Sequence, residues 1–366
     1  MGKLFYERSL IPDQKDMLSQ IVCEIKNGIS SASPYHALLI CGDVYDRSVP
    51  PAEAVELFSS FLAELRNASP DLHILIISGN HDSANRLSYA AEILDYQNIH
   101  IRTSLEKIQT PIIIEDTAFY MLPFCRSGSD DQPVEEKLIR EIAASIPNDV
   151  IQSVLLAHLF ANGAEKSDSE RGVWGTAEQV SKTVFADFAY TALGHLHKCQ
   201  NVTGNVWYSG SPLAYSFDES TNAKCLLQVE LEPGKEPAVA KIPIVPLHKV
   251  VRLSGSFADF YEGGKYPEYK DDFVEISCTD TAIVENPVLL LRPQFANLLS
   301  FRQEKAVIEE TSSDMAVRRN FIFQSKGNIQ EHLKLFLSDL YQQEPPKEEL
   351  GAFQTLLDEK EKDETA

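Results

Sequence analysis

Four short apolar runs in this chain each stop at residues that chemistry selects rather than packing. HALLIC runs into Gly42 and Asp43, HILIIS into Gly79 and Asn80, SVLLA into His158, and TALG into His195 and His197. Their length and flanking glycines favour buried strands over helix, so each chemical group falls where a strand ends and a loop begins. Residues 13–29, 53–66, 83–95 and 134–145 read as helices between them, with Asp13 and Ser83 as expected N-caps. Strands alternating with helices predict a layered α/β fold. Further strands at 224–231 and 238–245 are expected to finish a sheet-on-sheet core flanked by helices.

The loops that follow these runs are GDVYDR (42–47), GNHD (79–82), His158 and GHLH (194–197). Carboxylates, an amide oxygen and imidazoles suit a hard to borderline divalent cation such as Mn²⁺, and no thiolate is needed. Two such cations about 3.5–4 Å apart polarise a phosphate and acidify a bridging water for in-line attack. A glycine beside each ligand lets the backbone turn tightly and approach a cation. In extended backbone His195 and His197 share a face, which suits them to neighbouring metals. Singly these signals are weak: GDxxD is a common turn, and a solitary histidine at a strand end is usually a hydrogen-bonded core residue. All four in order, each closing an apolar run, select a two-metal phosphoesterase centre.

ERGVWGTAEQV (170–180), ALGHLHKCQ (192–200) and WYSGSPLAYSF (207–217) resemble the SbcD nuclease family within the calcineurin-like metallophosphoesterases, as do GDVYDRSVPP and the opening GKLFYERSLIPDQ. The likeness runs from Gly2 to Asp218 and more loosely to the end. It implies a four-layer α-β-β-α sandwich over 1–246, a small C-terminal α/β capping domain over 247–325, and terminal helices with an acidic tail over 326–366. It also implies site roles. Asp43 bridges both metals, Asn80, His158 and His195 complete one site, and His197 belongs to the other. His81 is the catalytic histidine that stabilises the transition state or protonates the leaving oxygen, and Asp82 fixes its ring. Arg47, Ser209 and Ser211 are expected to meet the scissile phosphate. The implied cofactor is Mn²⁺ in two sites, with Mg²⁺ as an alternative.

Relatives of this kind open with an Asp-x-His that supplies two further ligands, and that segment would precede Gly2. Of the four protein ligands expected at the second metal, Asp43 and His197 remain. The expectation is one Mn²⁺ held firmly, another held poorly, and nuclease activity reduced by orders of magnitude. A gene start upstream of Met1 is the accompanying hypothesis.

The resemblance names partners too: DNA and the ATP-hydrolysing SbcC subunit, with a homodimer inside a heterotetramer. ATP is expected on the partner, because the chain has no GxxxxGK[ST] loop. Ile329, Leu333, Phe336, Leu337 and Leu340 fall on one helical face that packs either on its own domain or on the SbcC coiled coil. The net charge of −21 opposes a polyanionic substrate. Lys3, Arg8, Arg47, Arg86, Arg102, Arg126 and Lys198 nevertheless lie in or near the motif loops, while much of the acid sits in the tail over 344–364. Six cysteines without a CxxC pair point to reduced thiols, and the apolar stretches are far shorter than the roughly 20 residues of a membrane span. A soluble cytoplasmic protein with no membrane contact is expected. Two other functions stay open: a small-molecule phosphodiesterase or phosphatase, and a catalytically weakened scaffold for SbcC.

Overall fold

The computed structural model describes residues 1–125, 133–147, 150–165, 179–261 and 265–303, together with position 334. Arg126, positions 170–178, the capping segment beyond 303, the apolar stripe over 329–340 and the acidic tail lie outside the described residues.

Strands β1 (Leu4–Phe5) and β2 (Arg8–Ser9) pair antiparallel and lead into α1 (Ile11–Ser30). Pro12 lies in the first turn of α1, where an N–H would have no helical partner. Leu10 occupies the N-cap instead of Asp13, which is buried in the first turn and accepts bonds from the backbone N and ring Nδ1 of His248 at 3.1 and 3.0 Å. One face of α1 buries Met17, Leu18, Ile21, Val22 and Ile25, spaced for a helical stripe.

β3 (Ala37–Cys41), α2 (Ala52–Ala68) and β4 (His73–Ile77) follow. The helix expected over 83–95 is instead two short pieces, α3 (Ala84–Leu87) and α4 (Ala91–Asp95), separated by Ala90 at φ 61°. Leu87 is buried and Ala91 and Leu94 pack partly against the same core, but the left-handed residue between the pieces ends one helix and starts the next. Ser83 takes the N-cap position of α3 but makes no side-chain capping bond. β5 (Ile99–Arg102) completes a parallel sheet ordered β3-β4-β5.

The second sheet contains β6 (Ile112–Ile114), β7 (Thr117–Leu122) and, after α5 (Val134–Ser145), β8 (Gln152–His158). The short parallel pair β9 (Phe160–Ala161) and β10 (Gln179–Val180) precedes β11 (Tyr190–Gly194), β12 (Gln200–Thr203) and β13 (Val206–Tyr208). The order is β12-β13-β11-β8-β7-β6. Alternation along the strands builds the layers. In β4, Ile74 and Ile76 face α1 and α2, while Leu75 and Ile77 face the second sheet. In β8, Val154 and Leu156 meet the first sheet, while Leu155 and Ala157 meet Ile139 and Ile142 of α5. Both sheets are therefore covered on both faces, which explains the unbroken apolar runs of the sequence. The layers are α, β, β, α.

β14 (Cys225–Glu230) and β15 (Ala238–Pro243) form an antiparallel ribbon that adds Val229 and Val239 to the inter-sheet core. Beyond it, β16 (Val250–Gly255), α6 (Phe257–Tyr261), β17 (Phe273–Cys278), α7 (Pro287–Leu291) and β18 (Asn297–Gln303) make a parallel three-stranded module. Leu253, Phe260, Val274, Ile276, Leu291, Phe295 and Leu298 form its own core. Met1–Asp280 and Val284–Glu304 belong to one compact unit. Among the described residues no helix is long and apolar enough to cross a membrane.

Candidate metal centre

β3, β4, β8 and β11 run parallel to their neighbours, so their C-terminal ends open on the same edge of the sandwich. The expected ligands Asp43, Asn80, His158 and His195 meet there. His158 Nε2 lies 3.0 Å from Asn80 Oδ1 and 3.3 Å from Asp43 Oδ2, and His195 Nδ1 lies 3.1 Å from Asn80 Oδ1. Ligand atoms about 3 Å apart are the edges of an octahedron with bonds of about 2.1 Å, the geometry of a small divalent cation. Ligand atoms of Asp43, His158 and His195 all lie within 4.8 Å of one another. Two oxygens and two imidazole nitrogens fit such an ion without a thiolate.

The backbone is shaped for this convergence. Asp43 and His195 both hold left-handed conformations, φ 51° and 98°, which non-glycine residues adopt at a cost and which cluster at functional sites. A Cβ on Gly194 would lie 1.7 Å from the Cys41 carbonyl oxygen, and one on Gly42, at φ 91°, would lie 2.3 Å from His158 Nδ1. These glycines let three chain segments close around one imidazole. The Cys41 carbonyl accepts a hydrogen bond from His158 Nδ1 at 2.7 Å, which leaves Nε2 turned to Asp43 and Asn80. Burial alone would raise the Asp43 carboxyl and lower the His158 imidazole, but their pairing reverses both. Asp43 is held well below the usual carboxylate range, and His158 lies above its ordinary value.

His81 stands beside the cluster, exposed, with its backbone N–H donating to Asp43 Oδ1 at 3.0 Å. Its Nδ1 donates to the backbone carbonyl of Asp46 at 2.8 Å, so Nε2 is the nitrogen presented outward. The expectation that Asp82 fixes this ring is corrected. The Asp82 carboxylate accepts from the backbone N–H groups of Val44, Tyr45 and Gly79 at 3.1, 2.9 and 2.9 Å. It binds the GDVYDR loop to the GNHD loop, and the Asp46 carbonyl holds the ring.

His197 lies outside the group formed by Asp43, His158 and His195. Its Nδ1 is 3.0 Å from Glu219 Oε1, and its ring packs edge-on to Tyr215. Burial would raise the Glu219 carboxyl, but bonds from His197 and Lys224 outweigh it and hold the group at about 2. Lys224 Nζ reaches Glu219 Oε2 at 2.5 Å, Ser211 Oγ at 2.8 Å and the His197 carbonyl at 3.1 Å. Ser211, expected at the phosphate, instead donates to Leu213 O at 2.8 Å and accepts from Lys224, so its hydroxyl serves the loop interior. Ser209 and Arg47 are exposed, the latter 4.0 Å from Asp46. Glu219 and Lys224 were not anticipated. Their only sequence signals are an acidic pair after YSF and a solitary lysine opening an apolar strand.

Residues 11–199 match the family model for the calcineurin-like phosphoesterase domain. The chain is also similar to the SbcD component of the nuclease SbcCD from Staphylococcus epidermidis, 29% identical over 313 residues that cover 82% of each chain. The family is one of metal-dependent phosphoesterases, in keeping with the donor set at the strand ends. With the match covering more than half of the chain and including Asp43, Asn80, His158 and His195, the chain belongs to the calcineurin-like phosphoesterases.

Proposed function

We propose that the chain is a Mn²⁺-dependent DNA exonuclease and endonuclease subunit that hydrolyses phosphodiester bonds. The observation that carries this is the convergence of Asp43, Asn80, His158 and His195, with His81 alongside, in a chain similar to a component of a nuclease. Divalent cations bound there supply Lewis acidity toward a phosphate and acidify a water. Asp43 serves both cations, Asn80, His158 and His195 hold one, and His197 serves the other, with Mg²⁺ as an alternative ion. His81, steadied by its Nδ1–H on the Asp46 carbonyl, delivers a proton from Nε2 to the leaving oxygen when it enters the reaction as the doubly protonated imidazolium, and is left as the neutral Nδ1–H ring. Arg47 and Ser209, both exposed, are the side chains available to a phosphate.

In this reading residues 1–246 form the nuclease domain, 247–325 the capping domain that orients DNA, and 326–366 the segment that binds an SbcC-type ATPase. Tyr89, Ile93 and Tyr96, exposed at 84%, 70% and 88%, supply an apolar patch for a homodimer within the larger complex. The work is DNA repair, recombination and replication in the cytoplasm.

Cleavage of a linear duplex with Mn²⁺, alone and with the ATPase partner, tests the proposal. Asp43→Asn is expected to abolish turnover and Mn²⁺ binding together. His81→Asn is expected to keep Mn²⁺ binding while losing about 10²–10⁴-fold in rate. Hydrolysis of p-nitrophenyl esters or cyclic nucleotides with the duplex left intact would replace this reading by the small-molecule phosphodiesterase. Partner binding without any cleavage would select the scaffold.

A further inference from the structure

Three consecutive residues, Phe217, Asp218 and Glu219, form a single tight turn whose side chains go to three different places. Phe217 packs on Phe5, with ring centroids 5.1 Å apart, and Phe5 packs in turn on Phe273 of β17 at 5.6 Å. Asp218 pairs with Arg252 of β16 at 2.7 Å, and Arg252 is also 2.7 Å from Glu275 of β17, which pairs with Arg302 of β18 at 3.0 Å. Glu219, 1% exposed, takes the Nδ1 of His197 and the ammonium of Lys224. The turn is thus bonded directly to β16, and linked through Arg252, Glu275 and Phe5 to β17 and β18, on one side, and bonded to His197 on the other.

A buried ion pair is weak evidence of stabilisation, because desolvating both charges offsets most of their attraction. Glu219 and Lys224 are both committed to one histidine: the carboxylate to its ring, the ammonium to its carbonyl. The Ser211 N–H also donates to that carbonyl, at 3.1 Å. A carboxylate on Nδ1 fixes the tautomer and makes Nε2 the nitrogen for a cation. We propose that Glu219 is a positioning residue for His197, and that the Phe217–Glu219 turn ties the aim of this imidazole to the seating of the 250–303 module. This rests on the reading above only where His197 is taken as a metal ligand; the tautomer claim stands apart from it.

The test has two parts. Long-range ¹H–¹⁵N spectra of the imidazoles, recorded without metal, are expected to show His197 protonated at Nδ1 in the wild type and in Glu219→Gln, whose amide oxygen still accepts, and at Nε2 in Glu219→Ala. An unchanged tautomer in a folded Glu219→Ala protein would overturn the positioning role. Calorimetric titration with Mn²⁺ is expected to show the weaker binding event losing about 10–100-fold in Glu219→Ala. Arg252→Ala, which touches no ligand, should weaken the same event several-fold, whereas Lys265→Ala, which breaks the Lys265–Asp259 pair and the contact of Lys265 with the Tyr266 ring elsewhere in the module, should change nothing. Equal behaviour of Arg252→Ala and Lys265→Ala would overturn the link to the module. If His197→Ala leaves Mn²⁺ binding intact while the tautomer still depends on Glu219, the ligand reading fails and the positioning proposal survives.

Discussion

Replacing Gly194 by alanine should damage the metal centre although Gly194 is not itself one of the converging residues, and the new Cβ would also stand 2.9 Å from His158 Nδ1. The new Cβ would stand 1.7 Å from the Cys41 carbonyl oxygen, and that gap must open to 3.0 Å or more. Neither backbone yields easily: Cys41 is laddered to Ile77 of β4, and Gly194 to His158 of β8. The cheapest escape swings the Cys41 carbonyl away, which breaks its 2.7 Å bond to His158 Nδ1 and frees the imidazole. Overpacking of this kind costs about 1–3 kcal/mol, and a buried hydrogen-bonding group left unpaired costs about 1–3 kcal/mol more. A loss of about 2–6 kcal/mol is expected, a large share of the roughly 5–15 kcal/mol that holds a domain folded. Urea unfolding gives the stability and calorimetry gives the Mn²⁺ affinity, which should fall by an order of magnitude or more. Gly204→Ala is the control, since its Cβ meets only the end of the exposed Glu236 side chain at 3.3 Å, and it should stay within about 0.5 kcal/mol of wild type. A Gly194→Ala protein with wild-type stability and Mn²⁺ affinity would refute the idea that close approach of β3 and β11 holds His158 in place.

Other outcomes follow from the same geometry. Asp82→Asn keeps one acceptor oxygen but turns an NH₂ toward a backbone N–H, so it should cost about 1–3 kcal/mol in urea unfolding and loosen the GDVYDR loop. Tyr208→Phe removes a buried hydroxyl that accepts from Ala161 N and donates to Leu159 O, both at 2.9 Å, and should cost a similar amount with Mn²⁺ affinity unchanged. Glu219, held at about 2 against an ordinary 4.5, contributes on the order of 3 kcal/mol that is fully present above pH 4.5 and lost as pH falls toward 2. The urea stability of Glu219→Gln should therefore be flatter than wild type across that window. Fluorescence anisotropy with the His81→Asn protein should show duplex binding that strengthens as Mn²⁺ is added, and equal binding in excess EDTA would count against a metal-dependent DNA site.

The four-layer fold was legible because both sheets are covered on both faces, which writes β3, β4, β8 and β11 as plain apolar runs with glycine at their ends. The convergence of these side chains was legible for the same reason: Asp43, Asn80 and His158 each terminate such a run. Other roles were hidden by distance along the chain. Asp82 reads as the neighbour of His81, yet its partners at Val44 and Tyr45 lie 38 and 37 positions away. Glu219 is 22 positions from His197, and an acidic residue in a polar turn looks like surface until the fold buries it. Ser211 carries the right atom for a phosphate, but Lys224 and Leu213 claim it, and no local pattern reveals a hydroxyl already in use. The break in the helix expected over 83–95 was not legible, because Leu87, Ala91 and Leu94 keep helical spacing against the core while nothing in the sequence marks the left-handed turn at Ala90.

The arrangement of charge also gives the centre an order of events. Several basic side chains near the motif loops are already neutralised: Lys3 by Asp46, Lys198 by Glu165 and Arg102 by Asp95. Arg8 and Arg86 form no ion pair among the described residues, but Asp43, Asp46 and Asp82 crowd the same loops in a chain of net charge −21. A phosphate approaching this edge before any cation would meet these carboxyl groups, of which Asp43 is held well below the usual carboxylate range by its pairing with His158. Cations are therefore the first ligand the centre favours, and a polyanion follows only after their charge has reversed the local field. The acidic side chains that by net charge argue against a nucleic-acid substrate are, at this edge, what gathers the positive charge such a substrate requires.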